Sequence, residues 1–359
     1  MDNYRLISKS DLRIFKGKTV LITGHTGFKG SWLSLILHDA GANVVGLSLE
    51  PNRLSHFNLL GLENLVTHNI GDIRNLPTVM KVFDDYKPQY VFHLAAQAIV
   101  RESYISPIET LETNVLGSAN ILEAIRQTES VQNLVYITSD KCYQNNEWSW
   151  GYREIDQLGG NDLYSASKAA AEVILTAYKK SFFQNRKSLA ISSARAGNVI
   201  GGGDWSLDRI IPDCIRAAFT DRDVIIRNPN STRPWQHVLE PISGYISLAI
   251  AMENRPLDIS GAWNFGPMPK ESRSVIEIAK MLYGHLGKGK IRVEIDLESS
   301  PEAGLLQLNC DKANRELGWH PRWSVEKAIG STARWYLAHE AGANTIDITR
   351  EQINEYFGE

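Results

Sequence analysis

Thr19-Val20-Leu21-Ile22-Thr23-Gly24-His25-Thr26-Gly27-Phe28-Lys29-Gly30-Ser31-Trp32-Leu33 is the stretch that decides the fold. A short β-rich run leads into G-x-x-G-x-x-G, and the third glycine opens into a helical pattern over 31–40 that Gly41 ends. Strand, tight turn and helix follow one another without a spare residue. Glycines at such a turn let the backbone approach a pyrophosphate, which rests on the free amides of the helix N-terminus. Three glycines in a loop often make only a turn, but their place after the first strand favours the dinucleotide reading.

Outward from this unit, apolar runs recur at 43–49, 67–70, 90–94, 134–138 and 189–193, with helical patterns between most of them. Such strands alternating with helices require a parallel sheet covered on both faces, because each crossover lays a helix on one side. The fold class is therefore α/β: a Rossmann-type doubly wound parallel sheet with a smaller mixed α/β C-terminal substrate domain. After Arg195, Gly201-Gly202-Gly203 breaks regular structure, and Pro212, Pro229, Pro234, Pro241, Pro256, Pro267 and Pro269 punctuate shorter elements. Helical patterns over 275–286 and 324–339 and an alternating, strand-like run at 290–295 make the second part mixed. Residues 235–254 read as a strand and helix returning to the first part. The expected division is a dinucleotide-binding domain, 1–195 plus about 235–262, and a second domain, 196–234 plus about 263–359.

Composition narrows the classes. The chain has 359 residues, 43% hydrophobic and 22% charged, which is globular and neither disordered nor collagen-like. Thirty-eight basic against 41 acidic side chains leave a formal charge of −3, so there is no general drive toward nucleic acid or anionic lipid. No run approaches the roughly 18 apolar residues of a membrane span, and Met1-Asp2-Asn3-Tyr4-Arg5 opens polar rather than as a secretory signal. A cytoplasmic protein is expected. Cys142, Cys214 and Cys310 are far apart and without C-x-x-C spacing, so buried free thiols are expected and neither a disulfide framework nor a metal site.

A dinucleotide site also wants an acid at the end of the second strand, about 20 residues on, for the ribose hydroxyls. That place reads Leu47-Ser48-Leu49-Glu50, so Glu50 or Arg53 must compensate, and NAD against NADP stays open. Asp72, before Ile73, is placed either to accept from the adenine amino group or to cap a helix. Tyr164 and Lys168 stand at i, i+4 on one helix face, with Ser139 at the end of an earlier strand. A free tyrosine has a pKa of about 10, so a neighbouring cation is needed before it can act as a base at neutral pH.

These residues, in this order, resemble the extended short-chain dehydrogenase/reductase (NAD-dependent epimerase/dehydratase) family over nearly the whole chain. The match is carried by Gly24 to Gly30, His93-Leu94-Ala95-Ala96-Gln97, Thr113-Asn114-Val115, Thr138-Ser139-Asp140-Lys141 and Tyr164 to Lys168. It continues through Ala194 to Trp205, Arg233 to Pro241 and Trp263-Asn264-Phe265-Gly266-Pro267. The glycine- and tryptophan-containing stretches resemble the subgroup that dehydrates CDP-glucose. The resemblance implies a lyase that oxidises the sugar at C4, removes water across C5 and C6 and returns the hydride to C6. It yields CDP-4-dehydro-6-deoxy-D-glucose, regenerates NAD in each cycle, and serves bacterial 3,6-dideoxyhexose synthesis for O-antigen lipopolysaccharide.

It also implies roles. Tyr164, made more acidic by Lys168 and assisted by Ser139, takes the C4 hydroxyl proton. Asp140 is the acid at C6 and Lys141 the base at C5, a departure from the Asp-Glu pair of dTDP-glucose dehydratases; a lysine can serve only if desolvation or a nearby cation lowers its pKa. Cofactor contacts fall on Gly24, Thr26, Gly27, Phe28, Lys29, Gly30, Arg53, Asp72, Ile73, Ala95, Ala96 and Gln97, with Tyr164 and Lys168. The nucleotide sugar falls to Asn198, Arg209, Arg233 and Asn264, while Trp205, Trp235 and Trp263 are expected to fill core.

Three rival readings stay open. An epimerase of the same family needs Ser139, Tyr164 and Lys168 but no Asp140-Lys141 pair; an inverting UDP-N-acetylglucosamine dehydratase also carries Asp-Lys; and a catalytically silent dinucleotide sensor has no use for a tuned phenol. The resemblance further implies a homodimer, or a dimer of dimers, through helices over 105–127 and 164–183, with Ala169, Val173 and Ala177 on the outer face.

Overall fold

A computed structural model describes residues 6–256, 258–294 and 305–358. Its central sheet has seven strands: β1 (Thr19–Thr23), β2 (Asn43–Ser48), β3 (Thr67–Ile70), β4 (Tyr90–His93), β5 (Asn133–Ile137), β6 (Ala190–Ala196) and β7 (Ala262–Phe265). They lie in the order β7-β6-β5-β4-β1-β2-β3 and every pairing is parallel. The longer helices are α1 (Phe28–Asp39), α2 (Leu76–Tyr86), α3 (Ser118–Gln127), α4 (Leu163–Tyr178), α5 (Ile210–Phe219), α6 (Leu239–Asn254), α7 (Val275–Leu286), α8 (Val325–Glu340) and α9 (Thr345–Phe357). The doubly wound α/β sheet read from the sequence is the fold.

Burial explains the strand pattern. Every residue of β5 and β6 is buried, as a sheet covered on both faces demands, whereas the edge strand β3 is half open. α1 starts at Phe28, three residues earlier than the apolar pattern suggests, so Gly30 lies inside its first turn. The return to the sheet also differs from the sequence reading. Gln236–His237 pairs only with Val199–Ile200, and it is α6, packed on β5 and β6, that leads into β7 alongside β6. A parallel neighbour needs its crossover helix first, so the strand follows the helix and carries the sheet through Phe265, past the boundary expected at about 262.

The other part is mixed, as expected. Asp223–Ile226 pairs in parallel with Lys290–Val293, and Thr232–Arg233 pairs antiparallel with Arg273–Ser274. The run expected as a strand to Ile295 is described to Val293; Ile295 and the segment Met1 to Arg5 lie outside the described residues. Gly202 and Gly203 accept the rings of Trp335 and His56, where a Cβ would come within 2.0 and 2.2 Å of them. The buried Glu240 carboxylate on α6 accepts from Arg322 N (3.0 Å), Trp323 N (2.7 Å) and Tyr356 Oη (2.5 Å), tying α9 and the 319–323 segment to the sheet layer. Cys142 and Cys214 are buried and Cys310 is half-buried, all as free thiols.

Candidate active site

Strand order reverses beside β1, which has β2 on one side and β4 on the other, and such a reversal opens a crevice at the carboxyl ends of the strands. A cleft of about 1490 Å³ lies there, reaching from the glycine turn to α5 and the start of α7. The turn fits only glycine at two places. Gly24 has φ +75° and its Cβ would sit 2.8 Å from Ala95 N, while a Cβ on Gly30 would sit 2.1 Å from Gly24 O. Gly30→Ala should therefore abolish dinucleotide binding while secondary structure persists, measurable by titration with NAD alongside circular dichroism.

The cofactor side is built from hydroxyls rather than an acid. Thr26 Oγ1 and Ser48 Oγ are 2.7 Å apart at the end of β2, and both line the cleft. Glu50 and Arg53 are exposed and neither lines it, so the compensating charge expected there is not delivered: the chain turns outward after Leu49. Asp72 lines the cleft, but its carboxylate receives Arg74 Nε (2.8 Å) and the Arg74 amide (2.8 Å); the cap of α2 is Asn75, not Asp72. Ile73, Ala95 and Ala96 line the wall. Gln97 does not: its amide donates to Thr110 Oγ1 (2.9 Å), and its carbonyl Oε1 accepts from Ile99 N (2.5 Å). It locks the turn after β4 to Asn114, which in turn donates to Ser167 Oγ on α4.

Ser139, Asp140, Lys141, Tyr164 and Lys168 converge on the middle of the cleft. Ser139 follows β5 and caps the Asp140–Cys142 turn. Asp162 caps α4 through the Ser165 amide (2.9 Å) and hydroxyl (2.6 Å), which fixes Tyr164 and Lys168 on the helix's inner face. Ser139 Oγ donates to Asp140 Oδ1 (2.9 Å); Lys141 Nζ is 3.9 Å from that oxygen, its side chain 28% exposed. Asp140 Oδ2 is buried with no hydrogen-bond partner, against the backbone of Gly197.

The electrostatics set burial against the expected activation of the tyrosine. Burial pushes the Tyr164 phenol up to about 12, against the hydrogen bond to Ser139 that favours its ionised form, with the Asp140 charge pushing it further up. Burial lowers the pKa of Lys168 as well, to about 8, and its Nζ is 5.9 Å from the Tyr164 ring centre. Burial thus opposes ionisation of the phenol, and the Ser139 hydrogen bond favours it. Lys29, expected only as a residue of the glycine turn, reaches across the cleft floor to within 3.5 Å of Tyr245 Oη. Burial, then the charge of Arg209, lowers it to about 8, with Asp140 pulling the other way.

Behind these groups lies a web that the sequence did not suggest. Glu172, one turn beyond Lys168, accepts from Thr138 Oγ1 (2.6 Å), Ser193 Oγ (2.8 Å) and both Nε and Nη2 of Arg195 (2.9 Å each). Arg195 Nη1 donates to Tyr143 Oη (2.7 Å), which donates to Asn264 Oδ1 (2.8 Å). Asn264, expected on the substrate, is instead fully buried; its amide donates to the carbonyls of Tyr152 and Asn309 and nothing is left for a ligand. The i+4 spacing from Lys168 to Glu172 and the Arg195 inside a buried strand were the available signals.

On the opposite wall, Asn198, Arg209 and Arg233 line the cleft. Asn198 Oδ1 is buried without a partner, and Arg209 Nη1 is held by Asp204 Oδ2 at 3.1 Å. Trp263 is fully buried and Trp235 nearly so, both donating to backbone carbonyls, while Trp205 packs edge-on to Tyr336. On the outer surface, Val173 and Ala177 are exposed but Ala169 is buried, turned inward with the Lys168 face of α4.

Comparison with known proteins agrees with this geometry. The family model for GDP-mannose 4,6 dehydratase matches residues 21–332. The CDP-glucose 4,6-dehydratase of Salmonella typhimurium is 45% identical, covering 96% of this chain and 98% of its own. The CDP-paratose 2-epimerase of Salmonella typhi is 26% identical over 88% of this chain and 98% of its own. Among solved structures, the epimerase Mth375 of Methanothermobacter thermautotrophicus superposes with a TM-score of 0.81 at 26% identity, covering 96% and 97% of the two chains. The dTDP-glucose 4,6-dehydratase of Bacillus anthracis, in complex with NAD, has the same fold, with a TM-score of 0.76 at 21% identity over 92% of this chain and all of its own. A family match that runs from β1 into α8, and a relative alike over nearly the full length of both chains, lead to one assignment: the chain belongs to the GDP-mannose 4,6 dehydratase family.

Proposed function

We propose that this chain is an NAD-dependent CDP-glucose 4,6-dehydratase, converting CDP-D-glucose to CDP-4-dehydro-6-deoxy-D-glucose and water. The observation that carries the reading is its 45% identity to the Salmonella typhimurium CDP-glucose 4,6-dehydratase across 96% of this chain. The cleft supports it, since a 4-epimerase has no use for a buried carboxylate with a free oxygen beside the tyrosine.

NAD, when bound, accepts the hydride from C4 and returns it at C6. The glycine turn and the α1 N-terminus fit its pyrophosphate, and the Thr26 and Ser48 hydroxyls stand where a ribose needs partners. Tyr164, as the phenolate that the Ser139 Oγ hydrogen bond favours, takes the C4 hydroxyl proton at Oη and is left as the neutral phenol. For the elimination Asp140, in its carboxylic acid form, delivers the Oδ2 proton to the departing C6 hydroxyl and is left as the carboxylate, and Lys141, as the neutral amine, takes the proton at C5, acidified by the adjacent ketone, and is left as the ammonium. Arg233, Arg209 and Asn198 hold the diphosphate, Arg209 exchanging Asp204 for a phosphate oxygen. The division of labour follows the sheet: cofactor on 1–195 and the returning segment, nucleotide sugar on the remainder. The same reading gives a cytoplasmic enzyme and a homodimer, or dimer of dimers, through the face bearing Ile105 and Val173, exposed to 75% and 56%.

Purified protein with NAD, offered CDP-, UDP-, dTDP- and GDP-glucose, should remove one water from CDP-glucose alone, read by mass spectrometry of the sugars. Isomerisation without mass change would point to an epimerase, and no change with any sugar to a sensor. Lys141→Ala should slow C5 proton abstraction by about 10²–10⁴-fold, read as loss of deuterium incorporation at C5 in heavy water.

A further inference from the structure

We propose that Asp213 selects the base: its carboxylate accepts from the exocyclic amine at C4 of a cytosine ring and turns away rings that carry a carbonyl there. The inference rests on the CDP-glucose reading above and names the residue that makes it so.

With the sugar at Tyr164 and the diphosphate on Arg233, the nucleoside is left the far end of the cleft. Ile211 and Pro212 from the first turn of α5, Ile226 at the end of its strand and Val275 at the start of α7 wall that end. Val275 N donates to Ser231 O (3.0 Å) and Ile276 N to Pro229 O (3.1 Å), so the segment carrying Arg227, Asn228 and Arg233 is pinned to α7. Apolar side chains suit the two faces of a flat ring, and its edge must then be read by the few polar groups there.

Of the carboxylates on this side of the cleft, Asp204 is taken at both oxygens, by Arg209 and the Ser206 amide (3.1 Å each). Asp208 accepts from Arg101 at Oδ1 (2.6 Å), which ties it to the Arg101 side of the cleft, while Asp213 stands in the first turn of α5 beside Ile211 and Pro212. Asp213 gives Oδ1 to Arg216, and among the described residues Oδ2 has no hydrogen-bond donor. Its side chain is 38% exposed and lines the cleft. The amine of cytosine donates one of its N–H groups to such an oxygen, whereas the O4 of uracil or thymine sets acceptor against acceptor. Arg227 and Asn228, on the same end, supply the donors that cytosine N3 and O2 require.

The test is the ratio of kcat/KM for CDP-glucose to that for UDP-glucose, in wild type, Asp213→Asn and Asp213→Ala, each pair measured on one preparation so that the folded fraction cancels. The ratio should fall by about 10-fold or more in both variants, the range in which a lost hydrogen bond to a base edge or substrate group discriminates. Dissociation constants for CDP and UDP, from calorimetry on the NAD-loaded enzyme, should converge in the same way. An unchanged ratio in a wild type that prefers CDP-glucose overturns the role of Asp213. A wild type that dehydrates neither sugar, or both alike, overturns the CDP-glucose reading itself and this inference with it.

Discussion

Asp140→Asn should lower product formation by about 10²–10⁴-fold while C4 oxidation continues. The two halves of the reaction use different atoms. Oxidation draws on Tyr164 and Ser139, and Asn keeps both the volume of the side chain and an oxygen to accept from Ser139 Oγ, now 2.9 Å from Oδ1. Elimination draws on the buried, unpartnered Oδ2, which the amide replaces with a group unable to deliver a proton to the C6 hydroxyl. A single-turnover experiment should show reduced nicotinamide appearing at near wild-type rate and persisting, with no sugar having lost water. Water loss at the wild-type rate would remove Asp140 from the acid's role.

Glu172→Ala should cost about 3–5 kcal/mol of stability, the range for breaking a buried pair by removing one partner, because Arg195 is left charged at 3% exposure. Urea unfolding followed by fluorescence measures it. Glu172→Leu with Arg195→Met, which removes both charges, should recover much of that loss. The pH dependence has a definite sign. Burial opposes ionisation of Glu172, but the Arg195, Thr138 and Ser193 hydrogen bonds prevail and hold its carboxyl below the ordinary 4.5. A depressed acid adds stability that is complete above about 4.5 and drains away as pH falls from there through the lower folded value. The wild type should accordingly lose stability below pH 4.5 more steeply than the double variant.

What was legible in the sequence is what local order encodes. The Gly24–Gly30 turn, the five apolar runs that follow, and the order Ser139, Tyr164, Lys168 each follow from a short period or a fixed offset, and each appears where expected. What was not legible depends on partners distant in the chain. Asn264 is consumed by Tyr143, Tyr152 and Asn309, and Gln97 by Thr110 and Ile99, so neither faces a ligand although both lie in motif-like stretches. Arg53 is exposed and away from the cleft lining, at a place where only spacing argued for it. The burial of Tyr164 and Lys168 was not legible either, since helical spacing sets which face two residues share, whereas burial sets what their charges cost.

The docking of α8 and α9 divides the support of the cleft. The glycine turn, Ser139 and Tyr164 all precede β7 in the chain, and β7 is what covers the edge of β6. The loop at Gly202 and Gly203, which leads to Asp204 and Arg209, is braced by Trp335, and Glu240 accepts from Arg322, Trp323 and Tyr356. The wall that carries Asp204 and Arg209 is therefore held by side chains far along the chain, whereas Tyr164 and Asp140 are placed by the sheet and α4, so the two sides of the cleft depend on segments widely separated in sequence.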